Sequence, residues 1–188
     1  MHQFVQLEVR EVELQSSGLD LREVEDVADQ LQEQGVVGGI IAVLSGEAQK
    51  VLAHIRLGGA LPHLHLPLPG TEPNAFIIVC STAAEDRYVD IDLGISAQSM
   101  LLQAAEIGLN GICIGAFDKE RIRQEFGLEG EPLLILAVGK SAERIERVEI
   151  GAGGDRRYYR SEGVHYVPKI RAEELIIDSD SAETGDKS

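Results

Sequence analysis

The chain has 188 residues, 44% of them hydrophobic and 26% charged, a profile that suits one well-buried globular core and is short for two. A formal charge of −15, 4% aromatic residues and no Trp weigh against nucleic acid, anionic membrane surfaces and a stacking platform for bases. The longest apolar runs, such as residues 36–44, are too short to span a bilayer. The first residues carry neither a basic nor an apolar leader segment, so a cytoplasmic, reduced protein is expected.

Residues 3–14 are ambiguous, because Val5, Leu7 and Val9 alternate like a strand while Val5, Val9 and Val12 fit a helix. Asp20 can cap a helix whose apolar stripe is Leu21, Val24, Val27, Ala28 and Leu31, with Gly35 as its stop. Residues 36–44 read as a buried strand broken by Gly38 and Gly39, residues 46–55 as a short helix, and residues 58–73 as a Gly/Pro-rich loop. A second apolar strand is expected over 75–81. A long helix follows over 90–107 and ends at Gly108. That helix has little purely polar face, the pattern of an element central to a core or sandwiched at a dimer interface.

Residues 111–116 read as a strand, Asp118 caps a helix over 119–126, and residues 131–138 form another strand. Strands and helices thus alternate without a repeat, and an α+β or α/β sandwich follows. After Gly151 no period is clear. The segment is polar and basic, with Arg156, Arg157, Arg160, Lys169 and Arg171 in a stretch whose only acid is Glu162. Such an island in an acidic chain fits either an anionic partner or surface ion pairs with the abundant carboxylates. The end, residues 178–188, carries Asp178, Asp180, Glu183 and Asp186 among small polar residues and reads as a disordered acidic tail after a single domain over 1–177.

Familiar catalytic signatures are absent: there is no Gly-x-Gly-x-x-Gly turn, phosphate loop, Gly-x-Ser-x-Gly elbow or Cys-x-x-Cys. His63 and His65 are the one close histidine pair, and no carboxylate or Cys stands near them, so no metal site is assigned. Cys80 and Cys113 sit in apolar runs and read as buried free thiols.

The ordered string Asp92-x-Gly94-Ile95-x-Ala97-Gln98-x-x-Leu101-x-x-Ala104-Ala105-x-x-Gly108-Leu109-x-Gly111, followed by Cys113-Ile114-Gly115-Ala116-Phe117-Asp118, resembles the nitroreductase family of FMN-dependent oxidoreductases. Phe126-Gly127-Leu128, the run from Leu134 to Gly139, and the ending Tyr158-Tyr159-Arg160 with Gly163-Val164-His165-Tyr166-Val167-Pro168-Lys169 continue the resemblance. It implies an α+β fold with a mixed, mainly antiparallel central sheet flanked by helices, an extended C-terminal arm, and a homodimer holding FMN at the subunit interface. It also implies hydride transfer from NAD(P)H to a small acceptor such as a nitro compound or quinone.

By the same resemblance, Ile114, Gly115 and Ala116 would lie against the flavin, where small side chains let backbone amides approach the ring. Lys169 and Arg171, two apart on an extended segment, would bracket its phosphate. The family's opening Arg-rich motif has only Arg10 as a counterpart here, beside Glu11 and Glu13. That departure leaves open a protein that keeps the fold as a binding or regulatory module with lost or altered flavin turnover, or one that takes another anionic ligand. No catalytic acid or base is assigned.

Overall fold

In the computed structural model, residues 8–9, 40–43, 47–58, 65–73, 75–141 and 143–176 are described. The chain divides into two compact units, residues 1–59 with 64–141, and residues 60–63 with 142–188. Arg10, His63, the helix expected between its Asp20 cap and its stop at Gly35, and the tail 178–188 lie outside the described residues.

The first unit is built on a five-stranded sheet. Its strands are β1 (Glu8–Val9), β2 (Ile40–Val43), β3 (Ala75–Ser81), β4 (Asn110–Ile114) and β5 (Glu131–Gly139), in the order β1-β2-β3-β5-β4. Only β1 and β2 are parallel; the other three pairings are antiparallel. The sheet is therefore mixed and mainly antiparallel. The strand expected over 75–81 and the helix over 119–126 have those bounds in the structure.

β3 is buried at all seven positions, and the two-residue alternation of a strand divides it between two cores. Ala75, Ile77 and Val79 join Leu136 and Val138 of β5 on one face, under Ala97, Met100 and Ala104 of the helix α2 (Arg87–Glu106). Phe76, Ile78 and Cys80 join Ile135 and Ala137 on the other face. There they meet Ala48 and Val51 of α1 (Ala48–Leu52) and Ile122 and Phe126 of α3 (Lys119–Phe126). Each fully buried side chain of this kind contributes about 1.5–3 kcal/mol of burial.

The helix ends follow local chemistry. α2 begins at Arg87 rather than near Asp90, because Asp86 accepts from the amides of Tyr88 and Val89 at 2.8 and 2.9 Å. Asp90 instead lies in the first turn, where an acid is favourable. Asp118 caps α3 through the amide of Arg121, and Gly127, at φ 60°, stops it in the left-handed conformation. β4 ends at Ile114, two residues before the expected limit. Beyond it the chain leaves β5 and bridges to Ile55 through Phe117.

The second unit is a three-stranded sheet of β6 (Arg144–Ile150), β7 (Tyr159–Ser161) and β8 (Val164–Ile170), in the order β6-β8-β7. β8 runs parallel to β6 and antiparallel to β7. The hairpin β7–β8 turns on Glu162 and Gly163, both at positive φ (50° and 77°), the geometry that matches strand twist in a two-residue connection. Pro168 sits beyond the end of β7, where the lost N–H is harmless on that side. These strands lack a clean period in sequence because Glu146 occupies a half-buried position while Ile145 is exposed.

Gly111 fixes how closely α2 lies on β4: a Cβ there would come within 2.4 Å of Leu101 Cδ2 and 3.1 Å of the Ala137 carbonyl. Gly111→Val is expected to destabilise the chain by about 1–3 kcal/mol through overpacking, with Leu101→Ala in the same chain recovering part of the loss. Urea unfolding of the two single variants and the double variant measures this coupling.

Candidate functional site

Ile114, Gly115 and Ala116 form the exit of β4 in the first unit. Ile114 is buried in the core, which anchors the turn, whereas Gly115 and Ala116 are both exposed. The Ala116 carbonyl accepts from the amide of Arg56 at 2.8 Å, and the amide of Asp118 donates to the His54 carbonyl at 2.9 Å. The turn is thereby pinned on both sides of Phe117. Among the described residues other than Gly115 and its two chain neighbours, no heavy atom lies within 4 Å of the position a Gly115 Cβ would take. Here a held backbone borders open space, an arrangement that suits the edge of a flat ligand and that a side chain would obstruct.

Lys169 and Arg171 belong to the second unit. Lys169 is exposed near the end of β8, registered beside Glu149 of β6, and forms no ion pair with a described residue. Arg171 follows the strand with extended backbone (φ −58°, ψ 143°). Its guanidinium is held by the Glu174 carboxylate, which also accepts from the amide of Ala152 at 2.6 Å. The Arg171 amide donates to the Ile150 carbonyl at 3.0 Å. Glu174 thus ties the exit of β8 to the turn after β6, and Arg171 comes to any ligand already partnered.

The remaining cations of the island divide in the same way. Arg157 chelates Asp155, whose carboxyl is pulled down to about 2 by that hydrogen bond. Arg160 chelates Glu143 at 2.6 and 3.0 Å. Of the two readings of the island, ion pairing accounts for Arg157, Arg160 and Arg171, while Arg156 and Lys169 form no ion pair with a described residue.

Sequence reasoning misses the grouping of Glu143, Arg160 and His165. Their separations of 17 and 22 residues carry no motif, although the pair Glu162-Gly163 between two β-prone runs is a hairpin signal that sets Arg160 opposite His165. Hydrogen bonds from Arg160 hold the Glu143 carboxyl below the usual carboxylate range. Burial, and then the Arg160 charge, push His165 below the usual imidazole range.

The cysteines differ from one another. Cys80 is buried between β3 and its neighbours, and desolvation pushes its thiol up to about 12. Cys113 is exposed, which corrects the expectation of burial: β4 is the last strand of the described sheet, so no further strand flanks its apolar run, and Ile114 is its one buried position. Among the described residues no group of three or more His, Cys, Asp or Glu could hold a metal ion, and no helix is long and apolar enough to cross a membrane.

The Glu174 clasp has a defined acid response. Its carboxyl pKa is lowered, first by the Ala152 amide and then by Arg171. The clasp is therefore fully formed above the ordinary carboxylate value of 4.5 and is lost as pH falls through the lower folded value. The Ala152 amide resonance is expected to titrate with a midpoint below 4.5, and Glu174→Gln should abolish that titration in an NMR pH series.

Comparison with known proteins places this geometry in a group. The family model described as "Nitroreductase family" matches residues 17–140, more than half of the chain. A putative nitroreductase of Methanocaldococcus jannaschii is 37% identical over 57 residues, a stretch covering 30% of this chain and 29% of that protein. Among solved structures, an FMN-dependent nitroreductase from Clostridium difficile R20291 superposes with TM-score 0.53 at 18% identity, covering 67% of this chain and 79% of its own. A nitroreductase family protein from Streptococcus pneumoniae TIGR4 gives 0.52 at 14% identity, with 68% and 84% covered. At those identities the structures speak for the fold, and the family match speaks for descent: the chain belongs to the nitroreductase family.

Proposed function

We propose that this protein is an FMN-dependent oxidoreductase that takes hydride from NAD(P)H and delivers it to a small acceptor, a nitro compound or a quinone. The observation that carries the reading is the exposed, pinned turn at Gly115 and Ala116 within a chain of the nitroreductase family. The Clostridium difficile relative of the same fold is described as FMN-dependent. FMN, when bound, supplies the two-electron carrier.

The chain's own residues bind and orient. Gly115 and Ala116 would offer backbone amides to the ring, with Ile114 anchoring them from the core. Lys169 would meet the phosphate as an uncommitted cation, and Arg171 would do so while sharing its charge with Glu174. Arg10 is proposed from the sequence alone. Such chemistry needs few protein acids or bases, in keeping with the lack of a catalytic cluster in the sequence. A cytoplasmic setting suits the two free cysteines, one of them exposed. The charge of −15 argues against nucleic-acid and membrane partners.

One observation favours a second reading, a nitroreductase-fold protein with lost or altered turnover. Arg171 is already neutralised by Glu174, which weakens its attraction for a phosphate. Two outcomes separate the readings: a bound flavin bleached by NAD(P)H supports turnover, and a bound flavin that stays oxidised supports the second.

Under the leading reading, purified protein is yellow or binds FMN on titration, and Lys169→Glu weakens FMN binding by about tenfold or more, the scale of one charge-assisted contact. Protein that refuses FMN altogether would overturn it. The homodimer is proposed from α2, where Tyr88, Ile91, Ile95 and Leu102 are 74%, 45%, 56% and 60% exposed. They follow helical spacing on the face opposite the buried Ala97, Met100 and Ala104. Ile95→Glu with Leu102→Glu is expected to shift a dimer to monomer, as read by light scattering.

A further inference from the structure

The strands β7 and β8 and the residue just before β6 meet at one polar cluster that flavin binding does not use. Arg160 of β7 and His165 of β8 are register partners, so their side chains share a face. Glu143, immediately before β6, reaches both. Arg160 commits Nε and Nη2 to the carboxylate at 2.6 and 3.0 Å, which leaves Nη1 buried with no hydrogen-bond partner among the described residues. His165 places Nδ1 3.5 Å from Glu143 Oε2, and its Nε2 is likewise buried without a partner among the described residues.

That arrangement favours the neutral imidazole: burial and then the Arg160 charge outweigh the opposing pull of the Glu143 carboxylate. With the proton on Nδ1, facing the carboxylate, Nε2 presents a bare lone pair. A second proton would put a charged, buried N–H where no described residue offers an acceptor, next to a permanent guanidinium. Among the described residues, the groups facing the ring are few. They are Glu143 and Arg160; Tyr158, whose ring meets it edge-on at 5.3 Å; and apolar Ile145, its register neighbour on β6. Farther along the same face come Arg147, then Lys169 with Glu149 beside it. One carboxylate touches the ring, and Arg160 already grips that carboxylate with two bonds.

We propose that Glu143, Arg160 and His165 form a proton-operated clasp, which holds β7 against β8 and the start of β6 while His165 is neutral and releases β7 when the ring takes a second proton. β7 has only three paired residues, so its release is a small local opening rather than unfolding of the unit. The sign follows from the groups involved. His165 takes its proton near the ordinary value of 6.5 in the open hairpin and resists it in the closed one, through burial and then Arg160. The closed state is therefore complete above 6.5 and is lost as pH falls below it. Glu143, held low by Arg160, adds to the loss only below the ordinary carboxylate value of 4.5. Between those limits the device belongs to His165. β8 also carries Lys169 on the same face, so opening would loosen the proposed phosphate contact; that consequence alone rests on the flavin reading.

Hydrogen exchange of the full chain without flavin, followed by mass spectrometry and corrected for intrinsic rates, tests the clasp separately from flavin binding. Segments covering 158–166 are expected to lose protection progressively as the pH falls below the ordinary histidine value, by at most about tenfold per pH unit for one titrating group, while β3 and β5 stay unchanged. His165→Asn keeps a donor toward Glu143 and cannot take a second proton, so its profile over the same range should be flat. A wild-type NMR titration of the His165 ring, needing no variant, should share its midpoint with the loss of hairpin protection. Hairpin protection that stays constant through the ring's titration would overturn the proposal, as would equal acid opening in a folded His165→Asn protein.

Discussion

The double burial of β3 is the constraint on which the first unit depends. A strand covered on both faces must be apolar at nearly every position, and from Ala75 to Cys80 it is. Its one polar member, Ser81, satisfies its hydroxyl locally by donating to the Ala83 carbonyl and accepting from the Ala83 amide. Because odd and even positions feed different cores, α2 on one face and α1 with α3 on the other are positioned by the same seven residues. The edge strand β4 then inherits its place from β5, and the Gly115–Ala116 turn inherits its place from β4. The candidate flavin edge is thus held by hydrophobic burial several residues away from it.

The second unit is organised by a different force. Its strands carry few buried side chains, Pro168 being the one buried position of β8, so polar pairing does more of the ordering. Arg160 with Glu143 closes one end, and Arg171 with Glu174 and the Ala152 amide closes the other. Tyr159 stacks on Tyr166 at 5.0 Å on the opposite face of the hairpin from Arg160 and His165. Exposed ion pairs are individually weak. Networks of this kind respond to pH more readily than a hydrocarbon core does, which gives the two units different sensitivities to the same solution change.

The local structure around the candidate residues is partly legible in the amino-acid order. Gly115 and Ala116 stand out because a strand-to-helix connection with small residues and a following Asp cap has a local signature, and Asp118 does cap α3. Lys169 and Arg171 stand out as cations in an acidic chain, and their backbone is extended as their spacing requires. The acids that answer the cations have no such signature. Glu174 lies three residues from Arg171, yet its role depends on the turn at Ala152, and Glu143 reaches Arg160 across 17 residues. Cys113 misleads for the same reason: its apolar neighbours promise burial, but only the strand order shows that it stands at an edge.

By itself the chain's sequence determined the features set by neighbours along it. These are the apolar runs of β3 and β5, the caps at Asp118 and Gly127, and the glycine that ends α2, because hydrogen bonds within a turn and periodic burial are short-range properties. Tertiary structure alone decided which strands lie at edges, which carboxylates claim Arg157, Arg160 and Arg171, and where an imidazole nitrogen is buried without a partner among the described residues. Those outcomes depend on chain segments meeting across loops of different length, and no local pattern encodes the meeting.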